Sequence, residues 1–198
     1  MFFKKPIKPV DDLKAEVSRL RRMIRTDELT GVLNRRGIQE EFGTLFDEAK
    51  YARENEVRRR LNFTDVCILF LDLDNFKPIN DTYGHDAGDA VLVELAQTLS
   101  QNIRGLDRVG RWGGEEFLVL LVGANEKEGA AKAEKILEKI RAMKVKEAPR
   151  QITASIGVAS IELSEARTLD ALIEYADKAM YEAKKNRGKN CIVCSSQI

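Results

Sequence analysis

Asp72 directly follows Val66-Cys-Ile-Leu-Phe-Leu71, six apolar residues in a row. Such a run predicts a strand buried on both faces. A carboxylate at its end is costly unless it meets a cation, a set of hydrogen bonds or solvent. A second acidic locus, Gly113-Gly114-Glu115-Glu116, separates two strand-like runs, 107–112 and 117–122. Two glycines there suit a tight hairpin turn and let a ligand approach the backbone closely. If the first strand lies beside that hairpin, Asp72 and Glu115 converge. Oxygen donors from two strands, with no His or Cys among them, suit Mg²⁺ or Mn²⁺ rather than Zn²⁺. That donor set fits phosphoryl-group chemistry, in which metal ions clamp nucleotide phosphates. Taken singly, each segment also reads as plain structure, with the turn as a solvated hairpin tip and Asp72 as a strand-edge or capping residue.

The surrounding pattern supplies the elements that must position these groups. Residues 1–10, with two prolines, read as a lead-in. Leu13, Val17, Leu20 and Ile24 then follow at spacings of 4, 3 and 4 on a strongly charged helix. That stripe suits a short coiled-coil seam or an amphipathic helix lying on its own domain. Periodicity predicts further helices over 35–60, 89–103, 126–143 and 169–185. Strands are expected at 66–71, 107–112, 117–122, 152–161 and 191–194. The order implies an α+β fold with a ferredoxin-like βαββαβ core, its mostly antiparallel sheet flanked by helices. Residues 1–25 form the lead-in and helix, and 26–198 the main domain.

Composition narrows the function. The 198 residues carry 33 Lys and Arg against 32 Asp and Glu, a net charge of +1. That balance argues against a general nucleic-acid coat, which needs a basic excess. With 43% hydrophobic and 33% charged residues the chain reads as a globular domain, and the longest apolar runs are too short to span a membrane. Three cysteines make no disulfide framework and suit a reducing cytoplasm. Cys191 and Cys194 have CxxC spacing, but one His in the chain leaves a zinc set short, so both are taken as strand residues.

Longer blocks then carry a resemblance. Asp27-Glu-Leu-Thr-Gly-Val-Leu-Asn-Arg-Arg36 is similar to the opening of the GGDEF family of diguanylate cyclases. Asp72 to Asp89 resembles that family's strand-and-nucleotide segment. Arg111-Trp-Gly-Gly-Glu-Glu-Phe117 resembles its signature in a GGEEF form. Thr153-Ala-Ser-Ile-Gly157 and Ala176-Asp177 through Lys184 resemble its late strand and last helix. The resemblance implies a palm-like fold and a reaction that joins two GTP into cyclic di-GMP with release of two pyrophosphates. It implies Asp72, the Leu73 carbonyl and Glu115 as ligands of Mg²⁺ or Mn²⁺, with two ions per half-site. Glu115 would also help deprotonate the attacking 3′-hydroxyl, and Glu116 would support metal and turn. Guanine would meet Asn80 and Asp89, since a carboxylate accepts the N1–H and N2–H₂ donors that adenine lacks. Phe76 and Lys77 would offer backbone N–H groups to phosphates, and His85 is either a substrate neighbour or a structural residue. Lys184 and Lys189 would reach the terminal phosphate. One extra residue before Gly188 leaves the choice between Lys184 and Lys185 open, and Lys189 stands where the family has Arg.

Arg104 and Asp107 stand at the offset of the family's RxxD inhibitory site, which implies feedback by the product. Each domain would bind one GTP, so catalysis would require a homodimer. The competing function is a module that binds GTP or cyclic di-GMP without turnover. The interval from Asp27 to Asp72 is long for the family, and its Arg-rich stretch, 53–60, is either an exposed helix or a partner contact.

Overall fold

The computed structural model describes residues 10–55 and 63–198. Val66–Leu73 (β1) is buried at every position and forms the centre of a five-stranded sheet. The other strands are Arg108–Gly113 (β2), Glu116–Val122 (β3), Ala154–Ser160 (β4) and Ile192–Cys194 (β5), in the order β2-β3-β1-β4-β5. β1 pairs antiparallel with β3 and β4, β2 and β3 form the hairpin, and only β4–β5 is parallel. The first strand therefore does lie beside the hairpin, in the α+β arrangement expected of a palm-type core.

Helices cover both faces: Val10–Arg25 (α1), Arg35–Glu54 (α2), Phe76–Tyr83 (α3), His85–Gln101 (α4), Glu126–Ala142 (α5), Ile161–Ser164 (α6) and Leu169–Lys185 (α7). Alternation along β1 divides the core. Cys67, Leu69, Leu71 and Leu73 pack with Val91 and Leu95 of α4 and Ile136 and Ile140 of α5. Val66, Ile68 and Phe70 pack with Ile38, Phe42 and Phe46 of α2 and Leu172, Ile173 and Met180 of α7. Asp72 keeps that alternation and so points to the α2/α7 face. α7 sits close on β4 because Gly157 has no side chain, and a Cβ there would collide with the Ala176 carbonyl and the Met180 amide.

Several boundaries differ from the sequence expectation. α2 ends at Glu54, where Asn55 caps it by donating its backbone N–H and side-chain amide to the Tyr51 carbonyl. The rest of the expected helix falls in 56–62, outside the described residues, as do residues 1–9 of the lead-in. α3 was not anticipated from the sequence. Pro78 lies in the first turn, where a missing N–H breaks no helical bond. Cys191 precedes β5, and only Cys194 is in the strand. All three cysteines are free.

Candidate active site

Asp72 is directly opposite Glu116 on one side and Ser155 on the other. Only 7% of Asp72 is exposed, so its carboxylate has lost most of its hydration. Burial pushes its pKa up, and the neighbouring Glu115 and Asp74 push the same way, while Lys184 opposes them. Glu116 is likewise raised, first by burial and then by Asp72, Asp177 and Glu115. This cluster calls for a cation. Lys184, on the last turn of α7, places its Nζ 2.5 Å from Asp72 Oδ1. The approach is off the direction of a good hydrogen bond, so that buried oxygen is neutralised in charge but has no directed donor.

The Gly113–Glu116 turn is the two-residue hairpin the glycines suggested. Gly113 pairs with Glu116, and Gly114 takes φ 45° at the first central position, where a residue without Cβ is favoured. Arg111 fastens the turn by donating from Nε to the Gly114 carbonyl at 2.9 Å. Its Nη1 reaches the Asp27 carboxylate at 3.2 and 3.3 Å. Asp27 also accepts from the Thr30 amide and hydroxyl. Burial raises its pKa, but those hydrogen bonds and the Arg111 charge outweigh it and hold the carboxyl below its ordinary range. The Asp27-to-Arg36 segment thus braces the signature turn from outside through one guanidinium.

Asp74 sits among the same acids but has a structural task. Its carboxylate accepts from Ser155 Oγ at 2.7 Å, Thr153 Oγ1 at 2.9 Å and the Asn190 amide at 2.9 Å. It thereby joins β1 to β4 and to the loop after α7. Arg141 of α5 fixes the same loop through the Asn190 side-chain and backbone oxygens, both at 2.8 Å. Gly188, Lys189 and Asn190 are all left-handed there, at φ 82°, 67° and 51°. The loop delivers Lys189 Nζ to Asn75 Oδ1 at 2.8 Å. Lys184 and Lys189 are therefore both placed at the mouth of β1, and Lys185 instead lies over the Tyr181 ring.

Past the mouth the chain turns through Asn75, itself left-handed, into α3, whose N-terminus has no side-chain cap. Phe76 is buried and its ring packs against Gly88, so only its backbone can face a ligand, while Lys77 is exposed on the first turn. Gly84, at φ 88°, reverses the chain into α4. Asn80 on α3 is half-buried, and its side chain lies against Gly88 so closely that a Cβ there would collide with Oδ1. Asp89 follows Gly88 and is exposed, and so is His85 at the start of α4. The two helices thus bring Asn80 and Asp89 to one junction. Gly88 was missed from the sequence, where it stands one residue before the predicted helix at Asp89.

Residues 24–191 match the family described as "Diguanylate cyclase, GGDEF domain". The chain belongs to the GGDEF domain family. It is 36% identical over 180 residues to the diguanylate cyclase DosC of Escherichia coli K12, a match that covers 90% of this chain and 36% of DosC. It is 38% identical over 177 residues to the response regulator PleD of Caulobacter vibrioides, covering 85% of this chain and 35% of PleD. The chain thus spans about a third of the length of these relatives. Among solved structures, the coiled coil and GGDEF domain of DgcB from Caulobacter crescentus, in complex with c-di-GMP, is similar with TM-score 0.79 and 27% identity over 93% of both chains. The active GGEEF domain of a diguanylate cyclase from Vibrio cholerae gives TM-score 0.72 and 32% identity over 83% of this chain and 98% of that one.

On the far side of this GGDEF domain, Arg104 and Asp107 border a cavity of about 290 Å³. Its wall also carries Lys132 and Lys135 of α5, which sequence reasoning missed because they are a helical turn of unremarkable surface lysines. Asp107 is buried, and both carboxylate oxygens accept backbone N–H groups, Oδ2 from Arg104 at 2.9 Å and Oδ1 from Val122 at 3.0 Å. The Arg104 side chain is free among the described residues. No helix among them is long and apolar enough to cross a membrane.

Proposed function

We propose that this chain is a diguanylate cyclase that condenses two GTP into cyclic di-GMP and two pyrophosphates, with two domains facing one another and each holding one GTP. The observation that carries the reading is buried Asp72 paired across the sheet with half-buried Glu116 beside the Glu115 turn, an under-neutralised acidic site at the open end of β1. Membership of the family and the named cyclases among its relatives support it. The competing module without turnover needs no such carboxylate set.

The donors fit a divalent ion. Among the described residues no three carboxylate, imidazole or thiol groups converge as a closed metal cage. Mg²⁺ seldom uses one, because it binds through one or two carboxylates and fills its remaining positions with water and substrate phosphate. Asp72, the Leu73 carbonyl and Glu115 would hold Mg²⁺ or Mn²⁺, and the directionless contact at Asp72 Oδ1 leaves that oxygen open to it. The bound ion would neutralise phosphate charge and lower the pKa of the 3′-hydroxyl.

The chain's own groups do the rest. The uncapped first turn of α3 offers N–H donors to phosphate, with the helix dipole behind them. Lys77 and Lys189 add charge around it, and Asn75 holds Lys189 in place. Asp89 and Asn80 read the guanine edge, and an adenine would leave Asp89 without the N–H donors it accepts from guanine. Glu115 takes the proton of the attacking 3′-hydroxyl as its oxygen closes on the α-phosphate. Glu116 supports the turn through its pairing with Gly113.

Product feedback is part of the same proposal. Arg104, Lys132 and Lys135 give their cavity three cations against the carboxylates of Glu128 and Asp107, an excess suited to the phosphates of cyclic di-GMP. Asp107 shapes the Arg104 turn through its backbone bonds.

Incubation of the purified chain with GTP and Mg²⁺, with products identified by mass, tests the reading. Cyclic di-GMP from the unaltered protein and none from Glu115→Gln is the expected result. Absence of product at high protein concentration, after bound cyclic di-GMP has been stripped, would overturn it in favour of the binding module.

A further inference from the structure

We infer that Lys184 is an exchangeable counter-cation, which neutralises Asp72 in the metal-free protein and surrenders that carboxylate to a divalent ion, so that metal entry frees its ammonium for the nucleotide's phosphates. The inference rests on the metal site proposed above and adds a reason for metal and nucleotide to bind together.

Four observations carry it. Lys184 Nζ lies 2.5 Å from Asp72 Oδ1, the atom a metal would need. That oxygen has charge pairing without a directed hydrogen bond, so geometry does not lock the pair. The Lys184 side chain is 23% exposed against 10% for Asp72, which gives the ammonium a route outward and the carboxylate none. Finally, one ammonium faces too many acids. Asp74 is satisfied by three donors, but Glu115 and Glu116 remain beside Asp72, and Asp177 adds its charge beside Glu116. A single positive charge leaves the cluster net negative, and a divalent ion answers it better.

Competition for one oxygen makes the coupling thermodynamic. Lys184 weakens metal binding by occupying the site, and metal binding strengthens the nucleotide by releasing Lys184. By linkage, the nucleotide must then strengthen metal binding by the same factor. Removing the ammonium should therefore tighten the metal and uncouple it from the nucleotide.

The test is a Mn²⁺ titration followed by the electron paramagnetic resonance of free Mn²⁺, on the whole chain, with and without a non-hydrolysable GTP analogue. Lys184→Met keeps the length of the side chain, and Lys184→Gln keeps a hydrogen-bonding end should the first variant fold poorly. Both are expected to bind Mn²⁺ about tenfold tighter than the unaltered protein without nucleotide, a typical coupling. The analogue should tighten Mn²⁺ in the unaltered protein and much less in either variant. Asp72→Asn should lose this binding throughout. Unchanged or weaker Mn²⁺ binding in both Lys184 variants, with the Asp72 dependence intact, overturns the exchange and leaves the metal site standing. Mn²⁺ binding that ignores Asp72 in every protein removes both.

Discussion

Asp107 and Arg104 form one short motif but divide their work, and substitution should separate them. Asp107 satisfies two backbone amides from a buried position, whereas the Arg104 side chain satisfies nothing within the described residues. Asp107→Ala should thus cost about 1–3 kcal/mol of stability, the loss of two hydrogen bonds to a charged acceptor. Arg104→Ala should leave stability within about 0.5 kcal/mol and raise the cyclic di-GMP concentration needed for half-inhibition. Urea midpoints and product-inhibition curves check the pair, and equal stability losses would refute the division. Asp65 shows a buried carboxylate of the opposite kind. One of its oxygens accepts the Glu162 amide at 3.3 Å, the other has no partner, and burial lifts its pKa to about 6. The folded state then holds the proton better than the unfolded one, so this contribution is full below about pH 4 and lost as pH rises through about 6. Asp65→Asn should gain on the order of 1 kcal/mol at pH 8 and almost nothing at pH 4, read from denaturation at both values. Residues such as Asp72 and Glu115 could be foreseen because strand and turn patterns placed them. Asp74 could not, since the partners that occupy it, Thr153, Ser155 and Asn190, are 79 to 116 positions away. In the sequence it is one more acid beside Asp72, and only the fold shows an anchor.

Elements transmit the same logic over longer distances. α7 carries Lys184, and its height above the sheet is set at Gly157, where it leaves no room for a methyl group. Gly157→Ala must push α7 from β4 or distort β4. Overpacking of this kind costs about 1–3 kcal/mol. It should also move Lys184 from Asp72 and lower turnover more than a substitution of equal stability cost made elsewhere on α7. Activity compared at matched stability, against Ala171→Gly for example, is the check. This packing was half legible. The apolar stripe of α7 and the run of β1 were plain because burial on a fixed period leaves a pattern. The glycine looked like one more strand residue, because a single sequence does not reveal what presses on it. α3 was hidden for a related reason, because a helix of eight residues leaves too short a period to read in a single sequence.

At the scale of the whole molecule, the proposed reaction between two GTP molecules held by separate domains would depend on how the domains meet. α1 presents Val17, Leu20 and Ile24 at 47%, 53% and 49% exposure, an apolar line its own domain does not cover. Its lower end is not loose. Asn34 donates to the Ile24 and Thr26 carbonyls at 3.1 Å and to the Arg25 carbonyl at 2.8 Å, and Arg25 pairs with Glu40 at 2.6 Å. Pairing of α1 with a second copy would therefore fix the orientation of the attached domains as well as their proximity, and a tether of this kind raises the effective concentration of the second half-site to about millimolar. Leu20→Glu puts a charge on that line without touching the site. Its specific activity should fall about tenfold or more at submicromolar protein and return toward the unaltered value as concentration rises, with sedimentation showing the same shift from dimer to monomer. The effective-concentration argument demands that recovery, because the variant keeps every catalytic group and loses only the means of bringing two sets together. Specific activity equally low at every concentration would instead place the damage inside the domain, and activity equal to the unaltered protein at every concentration would assign domain pairing to another surface.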